Sequence, residues 1–192
     1  MTTSLKLFTT SDEQQISEFF QASAGQWHSE RRYYTLPQGE TKEIESIITI
    51  RFLEPECEEL EKLGQLHNLS DVKSLSCGAE VSWQSTDIIK DRQESQGLTL
   101  FGALGNILYR DRGFATSRPV TADYYFSSPQ TLCLRTEYND SVFEEEIKLI
   151  GSKYRTRQSI ISRAGEQLMI GQYLEKRISG NRLQGAGEQR RK

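Results

Sequence analysis

The chain has 192 residues, with 24 Lys and Arg against 27 Asp and Glu, a net charge of −3 and a hydrophobic share of 35%. That length suits one compact domain with a sizeable core and excludes a disulfide-stapled miniprotein. The slightly acidic balance argues against a general nucleic-acid binder, and no apolar run approaches the ~18 residues of a membrane span.

The start, Met1 to Gln15, is polar and lacks a signal-peptide apolar block, as in an intracellular-type soluble domain. A helix is predicted first, with Ser11 as N-cap, Gln14 completing a capping box, and Ile16, Phe19, Phe20 and Ser23 at helical spacing before Gly25. Its short aromatic face is that of a helix that lids something. The period then changes to two. Trp27 to Tyr34 reads as a strand, and in Ile44 to Phe52 the apolar Ile44, Ile48, Ile50 and Phe52 oppose Glu45, Thr49 and Arg51. Pro55 opens a second, acidic helix to about Asn68, with Cys57, Leu60, Leu63 and Leu66 on one stripe.

From Leu75 to Arg177 the pattern is strand-like. Segments 79–84, 98–101, 106–110, 113–118, 120–126, 132–138, 142–150, 154–163 and 167–178 succeed one another with turn residues between them. About ten short strands at even spacing predict an all-β antiparallel up-and-down barrel, with no internal repeat. The domain is expected to span 1–178, and the Gly-rich, basic stretch 179–192 is expected to be a disordered tail. Cys57, Cys77 and Cys133 are scattered without a CxxC pair and read as reduced packing residues. His28 and His67 stand apart from any cysteine or carboxylate pattern of zinc type, so no metal site is expected.

Strand parity carries the chemistry. Phe143, Glu145, Ile147 and Leu149 share one face of their strand, which draws the Glu145 carboxylate inward with three apolar neighbours. A buried carboxylate needs a cation or a ligand donor. The next strand presents Arg155, Arg157 and Ser159 on one face, and two guanidiniums beside one acid would suit a ligand with two carboxylates. The same Arg-x-Arg spacing also occurs on solvated strand faces, Glu145 could form a structural bridge with either arginine, and a one-residue slip would reverse the faces. Trp27, Trp83, Tyr33, Tyr109, Tyr124, Tyr125 and Tyr138 supply either core packing or walls for a flat conjugated ligand.

Gly25-Gln26-Trp27 after a short helix resembles the lipocalin entry motif, with Arg177 as the arginine that packs over the tryptophan. Gly25-x-Trp27-x-Ser29-x-Arg31-x-Tyr33 is similar to the opening of the S/U-type phycobiliprotein chromophore lyases, the CpcS/CpeS family. So are Val81-Ser82-Trp83, Leu108-Tyr109-Arg110-Asp111, Thr136-Glu137-Tyr138, Glu144-Glu145, Tyr154-Arg155-Thr156-Arg157 and Gln172-Tyr173-x-Glu175-x-Arg177-Ile178, in the same order along nearly the whole chain.

The resemblance implies a ten-stranded, lipocalin-like or fatty-acid-binding-protein-like barrel with an N-terminal helix. It implies an enzyme that binds a free open-chain tetrapyrrole, phycocyanobilin or a related bilin, and attaches it by a thioether to a cysteine of apo-phycobiliprotein α or β subunits. On that likeness Arg155 and Arg157 match arginines that hold bilin propionates, Glu145 an acid that meets the pyrrole nitrogens, and Ser159, Trp83 and Arg31 further pocket positions. The bilin would be substrate, with no cofactor. The resemblance also implies a homodimer or a heterodimer with a sister lyase subunit, in the cyanobacterial cytoplasm or the plastid stroma. Lys148 departs from a more aromatic family pattern near the pocket rim, which leaves the bilin and its target subunit open. The competing reading is a carrier of bilins or fatty acids without transfer activity; a third is an assembly factor with a filled barrel.

Overall fold

A computed structural model describes residues 5–36, 38–87 and 94–178, with side chains from Asp12 onward. The tail expected over 179–192 lies outside the described residues. Helix α1 (Leu5–Ser23) leads into β1 (Gly25–Thr35) and β2 (Glu40–Leu53), after which comes α2 (Glu58–Leu66). The remaining strands are β3 (Cys77–Asp87), β4 (Glu94–Leu104), β5 (Ile107–Arg110), β6 (Val120–Ser128), β7 (Thr131–Tyr138), β8 (Ser141–Ile150), β9 (Tyr154–Arg163) and β10 (Glu166–Arg177). Every strand pairs antiparallel with its sequence neighbours, and β1 pairs with β10 from Trp27↔Arg177 to Thr35↔Met169, which closes the barrel.

The turns arise from local chemistry. Tyr138 and Ser141 pair across the two-residue turn Asn139-Asp140, and Arg163 and Glu166 across Ala164-Gly165, with positive φ at all four turn residues. That is the backbone whose twist matches a hairpin, and Asn, Asp and Gly accept it readily. Ala164 takes it at a steric cost.

Inside, alternation holds. Ile48 and Ile50 of β2, Ala79 of β3, Leu108 of β5, Leu132 and Leu134 of β7 and Phe143 of β8 are buried, as is Trp27 of β1. Helix α1 adds Ile16, Phe19 and Phe20 to the core, packing against β2, β3 and β4. Two hydrogen bonds fix it: Glu13 accepts from the Gly105 backbone N–H at 2.7 Å, and the Trp27 indole N–H donates to the Ser23 carbonyl at 2.9 Å. Helix α2 lies elsewhere. Its Leu60 and Leu63 pack with Leu53 and Leu75 against the outward-facing Leu100, Leu104 and Tyr109, forming a second apolar cluster outside the barrel.

Three expectations need correction. The first helix begins at Leu5, so Ser11 lies within it rather than capping it. The second begins at Glu58 with Cys57 at its N-cap, and Leu66 is exposed, because the helix turns its last residue away from the sheet it covers. Residues 113–118 form a loop, not a strand: the Gly113 N–H donates to the Thr116 carbonyl across a tight turn, and the Ala115 N–H donates to the Tyr138 hydroxyl.

Candidate functional site

A cavity of about 560 Å³ occupies the barrel, with Phe19, Phe20 and Ser23 of α1 among its lining residues. Its walls include Ile48, Val81, Trp83, Phe101, Leu134 and Ile147, and the loop after β5 contributes Gly113 to Ser117. Among the described residues five arginines, Arg31, Arg110, Arg112, Arg155 and Arg157, line it with a single carboxylate, Glu145. An apolar enclosure with clustered guanidiniums selects an extended conjugated or aliphatic body carrying anionic groups.

Parity places β8 and β9 as the sequence predicts. Glu145, Arg155 and Ser159 are buried, and Glu145 stands opposite Ser159 in the β8–β9 register. Arg157 donates from Nη2 to Glu145 in a partly buried ion pair, with the carboxylate enclosed and the guanidinium open to the cavity. Burial pulls the Arg157 guanidinium down, but the charge and hydrogen bond of Glu145, with Tyr173 and Glu175 close by, together outweigh it and hold the pKa above the ordinary arginine value. Arg157 also lies 5.1 Å from the Tyr173 ring centroid, and its Nε has no hydrogen-bond acceptor.

Arg155 is held differently. It donates to Glu175, a fully buried carboxylate of β10, and its guanidinium lies 5.0 Å from the Trp27 ring centroid. Glu175 in turn accepts from the Ser29 hydroxyl at 3.2 Å, and Arg31 donates to the same hydroxyl at 3.3 Å while resting against Tyr173. The two arginines of the Arg-x-Arg pair thus have unlike partners, one facing the cavity acid and one tied into a deep ion pair.

Trp83 lines the cavity from β3, and its indole lies over Gly97 of β4: a Cβ there would come within 2.3 Å of the ring. Ser159 is inside the barrel but lies among packing residues, close to Gly171, rather than on the cavity wall. Arg177 packs over Trp27 at 4.2 Å and donates to the Ser152, Ala22 and Ala24 carbonyls, tying β10 to the end of α1.

Tyr33 is among the aromatics the sequence offers as walls, whereas its neighbour Tyr173 and the loop residue Phe114 escape that reading. Tyr33 and Tyr173 meet edge to face, and Tyr173 donates its hydroxyl to that of Tyr33 at 3.0 Å. Burial raises the Tyr173 pKa, with Arg157 opposing the shift. Phe114 stacks on Phe143 and reaches Arg110 and Arg157. The shared parity of Tyr173, Glu175 and Arg177 was the available signal for β10. For Phe114 there was none, because a loop has no period. Conversely, Tyr109 and Tyr125 point outward, Tyr109 against His67 and Tyr125 toward solvent.

Comparison with known proteins fits this geometry. Residues 15–178 match the CpeS-like protein family. The chain is 74% identical over 173 residues to CpcS 2 of Nostoc sp. (strain PCC 7120), covering 90% of this chain and 96% of that protein. It is 31% identical over 156 residues to the phycocyanobilin lyase subunit CpcS of Picosynechococcus sp., covering 77% of this chain and 78% of that one. Among solved structures, the S-type phycobiliprotein lyase CPES from Guillardia theta superposes with a TM-score of 0.75 at 21% identity, over 91% of this chain and 99% of that one, and has the same fold. The closed ten-stranded barrel, its helix and the match over most of the sequence place this chain in the CpeS-like family.

Proposed function

We propose that this protein is a bilin lyase: it takes up a free open-chain tetrapyrrole, phycocyanobilin or a relative, and attaches it through a thioether to a cysteine of an apo-phycobiliprotein subunit. The observation that carries this reading is the barrel cavity, apolar in its walls and set, among the described residues, with five arginines around one buried carboxylate. The lyase activity for which the Picosynechococcus relative is named supports it.

A bilin has an extended conjugated body, two propionates, four ring nitrogens and an electrophilic ethylidene. The apolar walls and Trp83 take the rings, while the cavity guanidiniums, Arg157 first among them, are offered to the propionates, each charge-assisted contact contributing about 1.5–3 kcal/mol. Arg31 completes the polar set on the cavity wall, and Ser159 stands behind it, opposite Glu145 in the sheet. Glu145 faces the pyrrole nitrogens, where its carboxylate stabilises the protonated ring system, and that protonation draws electron density from the ethylidene. In the transfer, the acceptor thiolate forms the C–S bond, the ethylidene electron pair moves into the ring system, and the proton given up by the thiol is returned to the tetrapyrrole. No oxidant is consumed.

The acceptor thiol belongs to the partner. Cys77 is buried and desolvation pushes its thiol up to about 11, Cys133 is buried beside Ser127, and desolvation also raises Cys57. A raised pKa leaves little thiolate for attack. The tetrapyrrole is therefore substrate rather than resident cofactor. The chain works as a homodimer or with a sister lyase subunit, a pairing supported by the relative's name as a subunit, in cyanobacterial cytoplasm or plastid stroma.

The test is transfer. Purified chain, bilin and apo-subunit are mixed, and covalent label on the subunit is read on a denaturing gel together with the product's absorbance. A lyase accelerates formation of one spectrally uniform adduct. Binding without acceleration would make the protein a carrier, and absence of bilin binding would leave only the filled-barrel reading.

A further inference from the structure

Pairing off the charges around the cavity leaves a remainder. Arg155 is matched by Glu175, Arg157 by Glu145 and Arg112 by Asp111, while Arg31 is half-buried and donates to Ser29. Arg110 is buried and has no carboxylate partner among the described residues. It is 6% exposed, and its Nε and Nη1 have no hydrogen-bond acceptor. Its guanidinium lies 4.8 Å from the ring centroids of Phe101 and Phe114, and burial lowers its pKa. Arginine nevertheless stays protonated. The Glu145 charge reaches Arg110 but is already paired with Arg157, and a buried cation without a carboxylate of its own is among the more costly arrangements in a protein interior, so its persistence calls for a further anion.

Position says what that anion is. Arg110 ends β5, four strands around the barrel from β9, yet it and Arg157 converge on one ring: Phe114 lies 4.8 Å from the first guanidinium and 5.9 Å from the second. We propose that Arg110 is a carboxylate anchor of the cavity, paired with Arg157 across Phe114, so that the two clamp the two propionates of one tetrapyrrole from opposite walls. Arg155, held by Glu175 and Trp27, then shapes the deep end of the site rather than holding a propionate. This assignment rests on the bilin reading above and adds to it the means by which ligand register is fixed.

The experiment titrates wild type, Arg110→Met and Arg110→Lys with biliverdin and with its dimethyl ester, monitoring visible absorbance, alongside thermal unfolding of the ligand-free proteins. Wild type is expected to prefer the diacid. Arg110→Met is expected to lose about ten- to a hundredfold in affinity for the diacid and little for the ester, and Arg110→Lys to keep part of the preference. The ligand-free Met variant is expected to melt no lower than wild type, since a buried unpaired charge has been removed. Equal binding of diacid and ester by wild type overturns the proposal whatever the variants do. So does a Met variant that binds the diacid like wild type, or loses diacid and ester alike with a lowered melting temperature, which is the mark of a structural arginine. Wild type that binds neither ligand overturns the bilin reading and this one with it, whereas normal wild-type binding with an unaltered Met variant removes Arg110 alone.

Discussion

Glu145 and Glu175 are both buried and both paired with arginine, but their surroundings differ in a way that predicts opposite mutant behaviour. Glu175 is fully buried and is held by Arg155 and Ser29 with the Trp27 ring close by. Glu175→Ala would strand the Arg155 charge in the core, so we expect a loss of about 3–5 kcal/mol, read as a fall in the denaturant midpoint. Glu145 borders the cavity, and its partner Arg157 is partly open to it. Glu145→Gln keeps shape and hydrogen bonding, so stability should change little while the bound bilin's visible band shifts and transfer slows. If Glu145→Gln transfers normally with an unshifted band, the carboxylate has no part in the chemistry. If Glu175→Ala is as stable as wild type, the Arg155 pair is not what holds the deep end together.

At the scale of elements, the site depends on how neighbours pack across the sheet. Gly97 of β4 stands opposite Trp83 of β3, and the indole occupies the space a side chain would take. This holds Trp83 against the wall and leaves the lumen open. Gly97→Ala brings its Cβ to 2.3 Å from a rigid ring, so the indole must swing away. We expect a shift in tryptophan fluorescence and weaker bilin binding, with the barrel intact; Trp27 and Trp83 are the two tryptophans of the chain, and Trp27 is sequestered beneath Arg177. An unchanged emission spectrum would mean the wall does not lock Trp83. Helix α1 works at the same scale. It brings Phe19 and Phe20 into the core and Ser23 to the cavity, so the barrel end beside β4 is closed by aromatic side chains instead of by strand residues.

For the whole molecule, burial of neutral acids makes stability fall in alkali. Cys77 is raised from 9.0 to about 11 by desolvation, and desolvation also raises Tyr124 and Tyr173. A group whose folded pKa lies above its unfolded value adds stability that is complete below the unfolded pKa and is lost as pH rises through the folded one. The Cys77 contribution should therefore be intact well below its unfolded value and fade between about 9 and 11, a loss of about 2–3 kcal/mol for a shift of this size. Denaturant midpoints across that range should fall, and fall less steeply in Cys77→Ala. Equal slopes in the two proteins would assign the alkaline loss to the tyrosines. Neutral pH lies below this window, so the barrel keeps the whole of this contribution there.

Strand alternation is local, and the sequence alone settled its consequences. The faces of β2 and β8, the inward turn of Glu145, the shared face of Arg155, Arg157 and Ser159, and the antiparallel order of short strands were legible because a period of two needs only neighbouring residues, whereas the direction of that β9 face was left open. The ordered motifs, from Gly25-x-Trp27 to Arg177, likewise pointed to the family. Closure decided the rest. That Arg155 meets Glu175 and Arg157 meets Glu145 depends on registers between strands, which no single strand encodes. Tyr109 faces outward because α2 covers that side of the sheet, and residues 113–118 leave the sheet to bring Phe114 against Phe143. Arg110 sits on a strand of four residues, too short to show a period, and became visible as a buried cation without a directly paired carboxylate only once ten strands had brought Arg155 and Arg157 to their acids. Periodicity fixes which way a side chain points, whereas its partner is fixed by the strands that close the barrel around it.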